Sequence, residues 1–160
     1  MNLDQARQLV TQLGLQLGGD ESTYQMNAQG EAFFMFEDSV RVVIRHQINA
    51  LVIACGVAEA VSDEDPSLFM MVMDYQHQGL NTVGAVISWD VQTDTLVLSR
   101  MLHGEPEVAD LERDLNLLLS TAQMVRDDIE TMIDSIVDDD AESGRENAAQ
   151  DPMQIDMVRA

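Results

Sequence analysis

The sequence predicts an α+β domain, an antiparallel twisted sheet packed by helices in the order α-β-β-β-α-β-β-α. Three patterns carry the prediction. Val83 to Asp90 and Thr95 to Arg100 are β-branched, apolar runs joined by the short, mostly polar Val91-Gln92-Thr93-Asp94, which reads as an antiparallel hairpin. Three more strand-like runs, Ala32 to Glu37, Val40 to His46 and Ala50 to Val57, follow one another across hairpin-length connections. From Val108 to Ile136 apolar residues then step three and four along the chain, the signature of a long helix. A lone hairpin is marginal in water, so the late pair must join a larger sheet or pack on a helix.

With 160 residues, 46% of them hydrophobic, the chain can bury one real core but not two. Residues 1–137 are expected to form that domain, and 138–160 an acidic, flexible tail, because Asp138-Asp139-Asp140, Glu142, Glu146 and Asp151 dominate there. Eight Lys and Arg against 29 Asp and Glu leave a net charge of −21. Such a surface repels phosphate backbones and anionic membranes, so neither nucleic acid nor a membrane is an expected partner. No apolar run is long enough to span a bilayer, no secretory signal pattern opens the chain, and Cys55 is a single cysteine; a reducing, cytoplasmic setting is expected.

In chain order, Leu3 to Leu17 is the first helix. Leu3, Ala6, Leu9, Val10, Leu13 and Leu17 form one apolar stripe, Asn2 and Gln5 form a capping box, and Gly18-Gly19 ends it. Leu15 falls off the stripe. The strand that follows is apolar on both faces: Phe33 and Met35 point one way, Phe34 and Phe36 the other. A half-solvated strand should alternate apolar with polar, so a cover is expected on the second face, supplied by this chain, a second protomer or a partner polypeptide. In the next strand Arg41, Val43 and Arg45 share one side, and the arginines are expected to pair with local carboxylates. Asp65 and Pro66 start a second helix that runs to about Gln78. Leu68, Phe69, Met70, Met71, Val72 and Met73 make it apolar nearly all round, as a core helix or a subunit interface requires. In the late hairpin Val83, Ala85, Ile87 and Trp89 take one face, and Gly84, Val86, Ser88 and Asp90 the other. Pro106 opens the last helix, which is expected to lie across the sheet rather than to form a coiled coil.

No catalytic constellation is present. His46, His77 and His103 lack metal-ligand spacing, no phosphate-binding or nucleophile motif occurs, and Cys55 sits among Val52, Ile53 and Ala54 as a small core residue. No cofactor and no metal are expected.

Some short motifs remain. Leu13-Gly14-Leu15 closes the first helix. Gly84-Ala85 precedes Trp89-Asp90 and then Leu96-Val97-Leu98-Ser99. The closing helix carries Leu111-Glu112, Ala122 and Val125-Arg126. In this order, over roughly Asn2 to Ile129, the chain resembles the class I type III secretion chaperones, the CesT/Tir-chaperone family. It departs from the family pattern at Asp74-Tyr75, where an asparagine and an aromatic are frequent, and at Val125, where tryptophan is. The resemblance implies a cytoplasmic bacterial homodimer built on the second helix and the strand opening the late hairpin. It implies a cargo too, the non-globular N-terminal segment of one or more secreted effectors, and a separate secretion ATPase. It implies no enzymatic activity. From face and family position, cargo contact is expected at Leu9, Leu13, Leu15, Phe33, Met35 and Val43, and the dimer interface at Phe69, Met70, Met73, Val86 and Ser88. The competing reading is an acidic dimeric regulator that binds one folded component of an export or transcription-control machinery; a small enzyme would need convergent polar groups that the sequence does not offer.

Overall fold

The computed structural model describes residues 1–20, 24–36, 40–59, 70, 73–74, 82 and 84–148, with side chains as far as 131. Helix α1 (Leu3–Gln16) starts as the capping pattern requires. The Asn2 side chain accepts from the Gln5 N–H at 2.9 Å, and the Gln5 side chain accepts from the Asn2 N–H at 2.8 Å. Gly18, at φ +86°, lets the chain turn away, while the Gly19 N–H closes back on the Gly14 carbonyl. Ala6, Leu9, Val10, Leu13 and Gly14 are buried, the stripe that the spacing marks out. Tyr24 packs on Gly14, where even a methyl group would sit 2.6 Å from the Tyr24 Cβ.

Five strands form one antiparallel sheet: β1 (Glu31–Met35), β2 (Arg41–Gln47), β3 (Ala50–Glu59), β4 (Val86–Asp90) and β5 (Thr95–His103), in the spatial order β1-β2-β3-β5-β4. The turns use residues that tolerate a left-handed backbone, Asn49 at φ 58° between β2 and β3 and Asp94 at φ 50° between β4 and β5. Asn27 launches β1, its side-chain oxygen accepting from the Gln29 and Glu31 N–H groups at 2.9 Å. The long pairing is β3 with β5, from Ala50 opposite His103 to Glu59 opposite Thr95, with a bulge between Gly56 and Ala58. Strand β4 begins at Val86, later than the expected Val83. Gly84 is at φ +81° and the Ala85 N–H bonds the Thr82 carbonyl, a turn that holds this stretch off the ladder. The expected helix from Pro66 to about Gln78 falls mostly outside the described residues; Met70, Met73 and Asp74 within it have helical backbone.

Helix α2 (Val108–Ala148) lies across β3 and β5 and touches α1, as a sheet needing cover requires. Leu111, Leu115, Leu118, Ala122, Val125 and Ile129 are its buried seam. Two polar ties fix its seat: the Arg100 guanidinium pairs with Asp114 at 3.5 Å, and Arg126 donates to the Gly56 carbonyl at 2.7 Å, satisfying backbone at the bulge. The helical backbone runs through the 137/138 boundary that composition suggests. Ala141, Glu142, Arg145, Glu146 and Ala148 are good helix formers, so the rise in charge does not end the helix there. The flexible tail expected from Asp138 is therefore helical to Ala148, and residues 149–160 lie outside the described residues.

Both helices cover the same side of the sheet. Phe34 is 1% exposed, stacked on Tyr24 with ring centroids 4.6 Å apart and beside Phe36 at 6.3 Å. With Val42, Ile44, Leu51, Ile53, Leu98, α1 and α2 it makes a single core.

Candidate functional site

Strand alternation sends the other half of each strand to the opposite side of the sheet. The register lines these residues up in rungs. One rung runs Phe33, Val43, Ala54, Ser99, Val86 from edge to edge. Beside it, Met35 stands next to Arg41 on one edge, while Gly56, Val97 and Ser88 align on the other three strands. On its other flank lie Glu31, Arg45, Val52 and Met101. Phe33 is 53% exposed and Met35 56%; Val86 and Met101 are also exposed. A groove of about 920 Å³ runs over this face, floored by Val43, Val52, Ala54, Gly56 and Val97 and walled by Met35, Arg41 and Trp89. An exposed apolar face rimmed by polar groups marks an interaction surface.

This face collects three of the residues expected to touch cargo, Phe33, Met35 and Val43, on adjacent rungs of β1 and β2. Leu15 is 45% exposed at the end of α1, on the helix side, and does not join them. Leu9 and Leu13 are buried in the core and have no surface to offer; they belong to the stripe that seats α1 on the sheet, which corrects the expectation for these two. Of the residues expected at a dimer interface, Val86 and Ser88 lie at the β4 edge of the same open face. Met70 and Met73 are exposed, and Phe69 lies outside the described residues. Val52, Ala54, Val97 and Met101 also line the face. Alternation within each strand could have grouped them, but β3 is apolar on both sides and its pairing with β5 is not readable from local pattern.

Among the described residues no three metal-ligating side chains cluster. His46 points elsewhere, its Nε2 3.3 Å from the Met1 carbonyl oxygen. Cys55 is buried on the helix side, and desolvation pushes its thiol from about 9 up to about 11, against a smaller pull from Arg126. A nucleophile needs the opposite shift. The sign for stability follows: the raised value contributes below pH 9 and is lost as pH rises towards 11, because the unfolded thiol ionises first. Urea midpoints are expected to fall between pH 9 and 11 for the wild-type chain and to fall less for Cys55→Ala. A thiol reagent at pH 8 should label the native chain far more slowly than the chain in urea.

An α+β module with one covered face and one open apolar face presents a surface suited to binding. The chain belongs to the Tir chaperone protein (CesT) family, whose model it matches over residues 8–126. Comparison with curated proteins returned no match. Solved structures share the fold at low identity. A chain of the ExsC–ExsE complex superposes with a TM-score of 0.67 at 14% identity, covering 77% of this chain and 92% of that one. A chain of the HopA1–SchA chaperone–effector complex gives 0.62 at 11% identity, with 79% and 98% covered. The Yersinia pestis type III secretion chaperone SycH, solved with a stable fragment of YscM2, gives 0.57 at 16% identity, with 74% and 98% covered.

Proposed function

We propose that this chain is a type III secretion chaperone that holds the non-globular N-terminal segment of one or more effector proteins, keeping them soluble and competent for export. The observation that carries the reading is the open sheet face, where Phe33, Met35 and Val43 lie exposed or half-buried beside an apolar-floored groove. An extended polypeptide seats alternate side chains in such a groove without needing a folded surface of its own. The solved HopA1–SchA assembly is a chaperone–effector complex on this fold, which supports the assignment. A net charge of −21 keeps a protein with so much apolar surface from self-aggregating.

The proposed chaperone works in the bacterial cytoplasm as a homodimer, with Val86, Ser88, Met70 and Met73, together with Phe69, at the interface. It performs no chemistry of its own, and a separate secretion ATPase takes the cargo onward. The test is a pull-down from the native bacterium with the tagged full chain, followed by limited proteolysis and mass spectrometry of what is retained. Protected N-terminal segments of secreted proteins are the expected result, and their number separates a dedicated chaperone from a general one. Retention of one intact, protease-resistant globular partner would overturn the reading in favour of a regulator.

A further inference from the structure

All eight basic residues of this chain are arginine. Five of the six with described side chains are engaged: Arg7 with Asp4 at 3.3 Å, Arg45 with Glu31 at 2.8 Å, Arg100 with Asp114 at 3.5 Å, Arg113 with Asp110 at 3.1 Å, and Arg126 with the Gly56 carbonyl at 2.7 Å. Arg41 is the sixth. Among the described residues its side chain makes no ion pair and no hydrogen bond, although the chain carries 29 carboxylates. It is exposed at the start of β2, registered beside Met35, and it walls the apolar groove of the open face.

We propose that Arg41 selects cargo by binding an aspartate or glutamate of an extended segment laid along β2, two residues from an apolar side chain seated on Phe33 and Val43. The proposal deepens the segment-binding reading above and rests on it. The spacing comes from strand geometry. Side chains i and i+2 of an extended segment stand about 6.8 Å apart on one side, which is also the spacing between the rung of Phe33 and Val43 and the rung of Met35 and Arg41. An apolar side chain on the first rung therefore places the next inward-facing side chain over the Arg41 guanidinium. Arginine offers a planar fork that a carboxylate matches with two parallel hydrogen bonds.

None of the other charged groups described on the face forms an ion pair with Arg41. Arg45 is neutralised by Glu31. Asp90 and Glu59 stand opposite Thr95, one rung further towards the β4–β5 turn. Asp90 is on β4, three strands from Arg41 in the sheet order. Glu59 is on β3, one strand away, and is the nearer competitor.

The test is selection from a random linear-peptide display library on the immobilised full-length chain, run in parallel on wild type, Arg41→Gln and Arg41→Glu. On wild type, peptides with an acidic residue two positions from an apolar one should be enriched. Arg41→Gln should lose the acidic preference and keep the apolar one, and Arg41→Glu should replace it with lysine or arginine. A selected peptide whose acid is changed to the isosteric amide should bind wild type about tenfold more weakly and Arg41→Gln equally well. Apolar enrichment with no acidic preference on wild type would overturn the role of Arg41 and leave the segment reading standing. No enrichment on wild type would overturn both. A change in self-association caused by Arg41→Glu, with peptide preference unaltered, would assign this part of the face to a second copy of the chain and overturn the proposal.

Discussion

Changing Phe33 and Met35 together to aspartate is expected to abolish effector capture, weakening binding of a retained segment by about 100-fold or more while the chain stays folded. Both side chains are rather more than half exposed, so each has about half of its apolar surface still to bury when a segment arrives. Burying a whole phenylalanine or methionine is worth about 1.5–3 kcal/mol, and half of that for two residues comes to about 1.5–3 kcal/mol. The substituted carboxylates add a desolvation cost under an apolar segment. The cost to the fold is small by comparison, because neither side chain contributes to the core and the main loss is the poor strand propensity of aspartate, within about 1 kcal/mol per site. Titration calorimetry with a segment recovered from the native bacterium would measure the first quantity, and urea unfolding the second. Retained affinity would remove this face from the cargo site. An unfolded double variant would mean that the face is core.

How much of this was legible beforehand depends on whether a feature is local or comes from pairing. Helix α1 was legible because its stripe and its Asn2–Gln5 box lie within a few residues of each other. The same holds for the antiparallel run β1-β2-β3 and for the hairpin tip at Asp94. The order β1-β2-β3-β5-β4 was not legible, because β3 meets β5 across a long stretch of chain, and no local pattern names that partner. The site suffered from the same gap. That β1 is apolar on both faces could be read from Phe33 to Phe36, but which face is core depends on the side to which α1 and Tyr24 deliver their cover. Leu9 and Leu13 were misplaced for a related reason: a stripe that seats a helix and a stripe that receives a partner have the same spacing. Arg41 and Arg45 look identical in sequence, both on the polar side of β2. Only the register shows that Arg45 stands opposite Glu31 while Arg41 stands opposite Met35.

The neighbouring residues Phe33 and Phe34 provide the sharpest test of that assignment. Phe34→Ala is expected to destabilise the chain by about 3–5 kcal/mol, and Phe33→Ala by less than about 1 kcal/mol. Phe34 is enclosed, stacked on Tyr24 at 4.6 Å and flanked by Phe36, so truncation leaves a cavity under α1 as well as the lost transfer energy. For a domain of this size that corresponds to a fall in Tm of about 10 °C, a large share of a typical total stability of about 5–15 kcal/mol. Phe33 loses only its partial contact with Val43 and the pleated surface around it. Thermal unfolding followed by circular dichroism at several protein concentrations reads both variants. The contrast tests function as well as fold. Were Phe33→Ala to cost as much as Phe34→Ala, the open face would be covered in the free protein. Concentration dependence of that cost would then identify the cover as a second copy, and a concentration-independent cost would identify it as the same chain. In either case a cargo segment would have to displace that cover. A small, concentration-independent cost for Phe33 is therefore the result that leaves the face available to an extended segment.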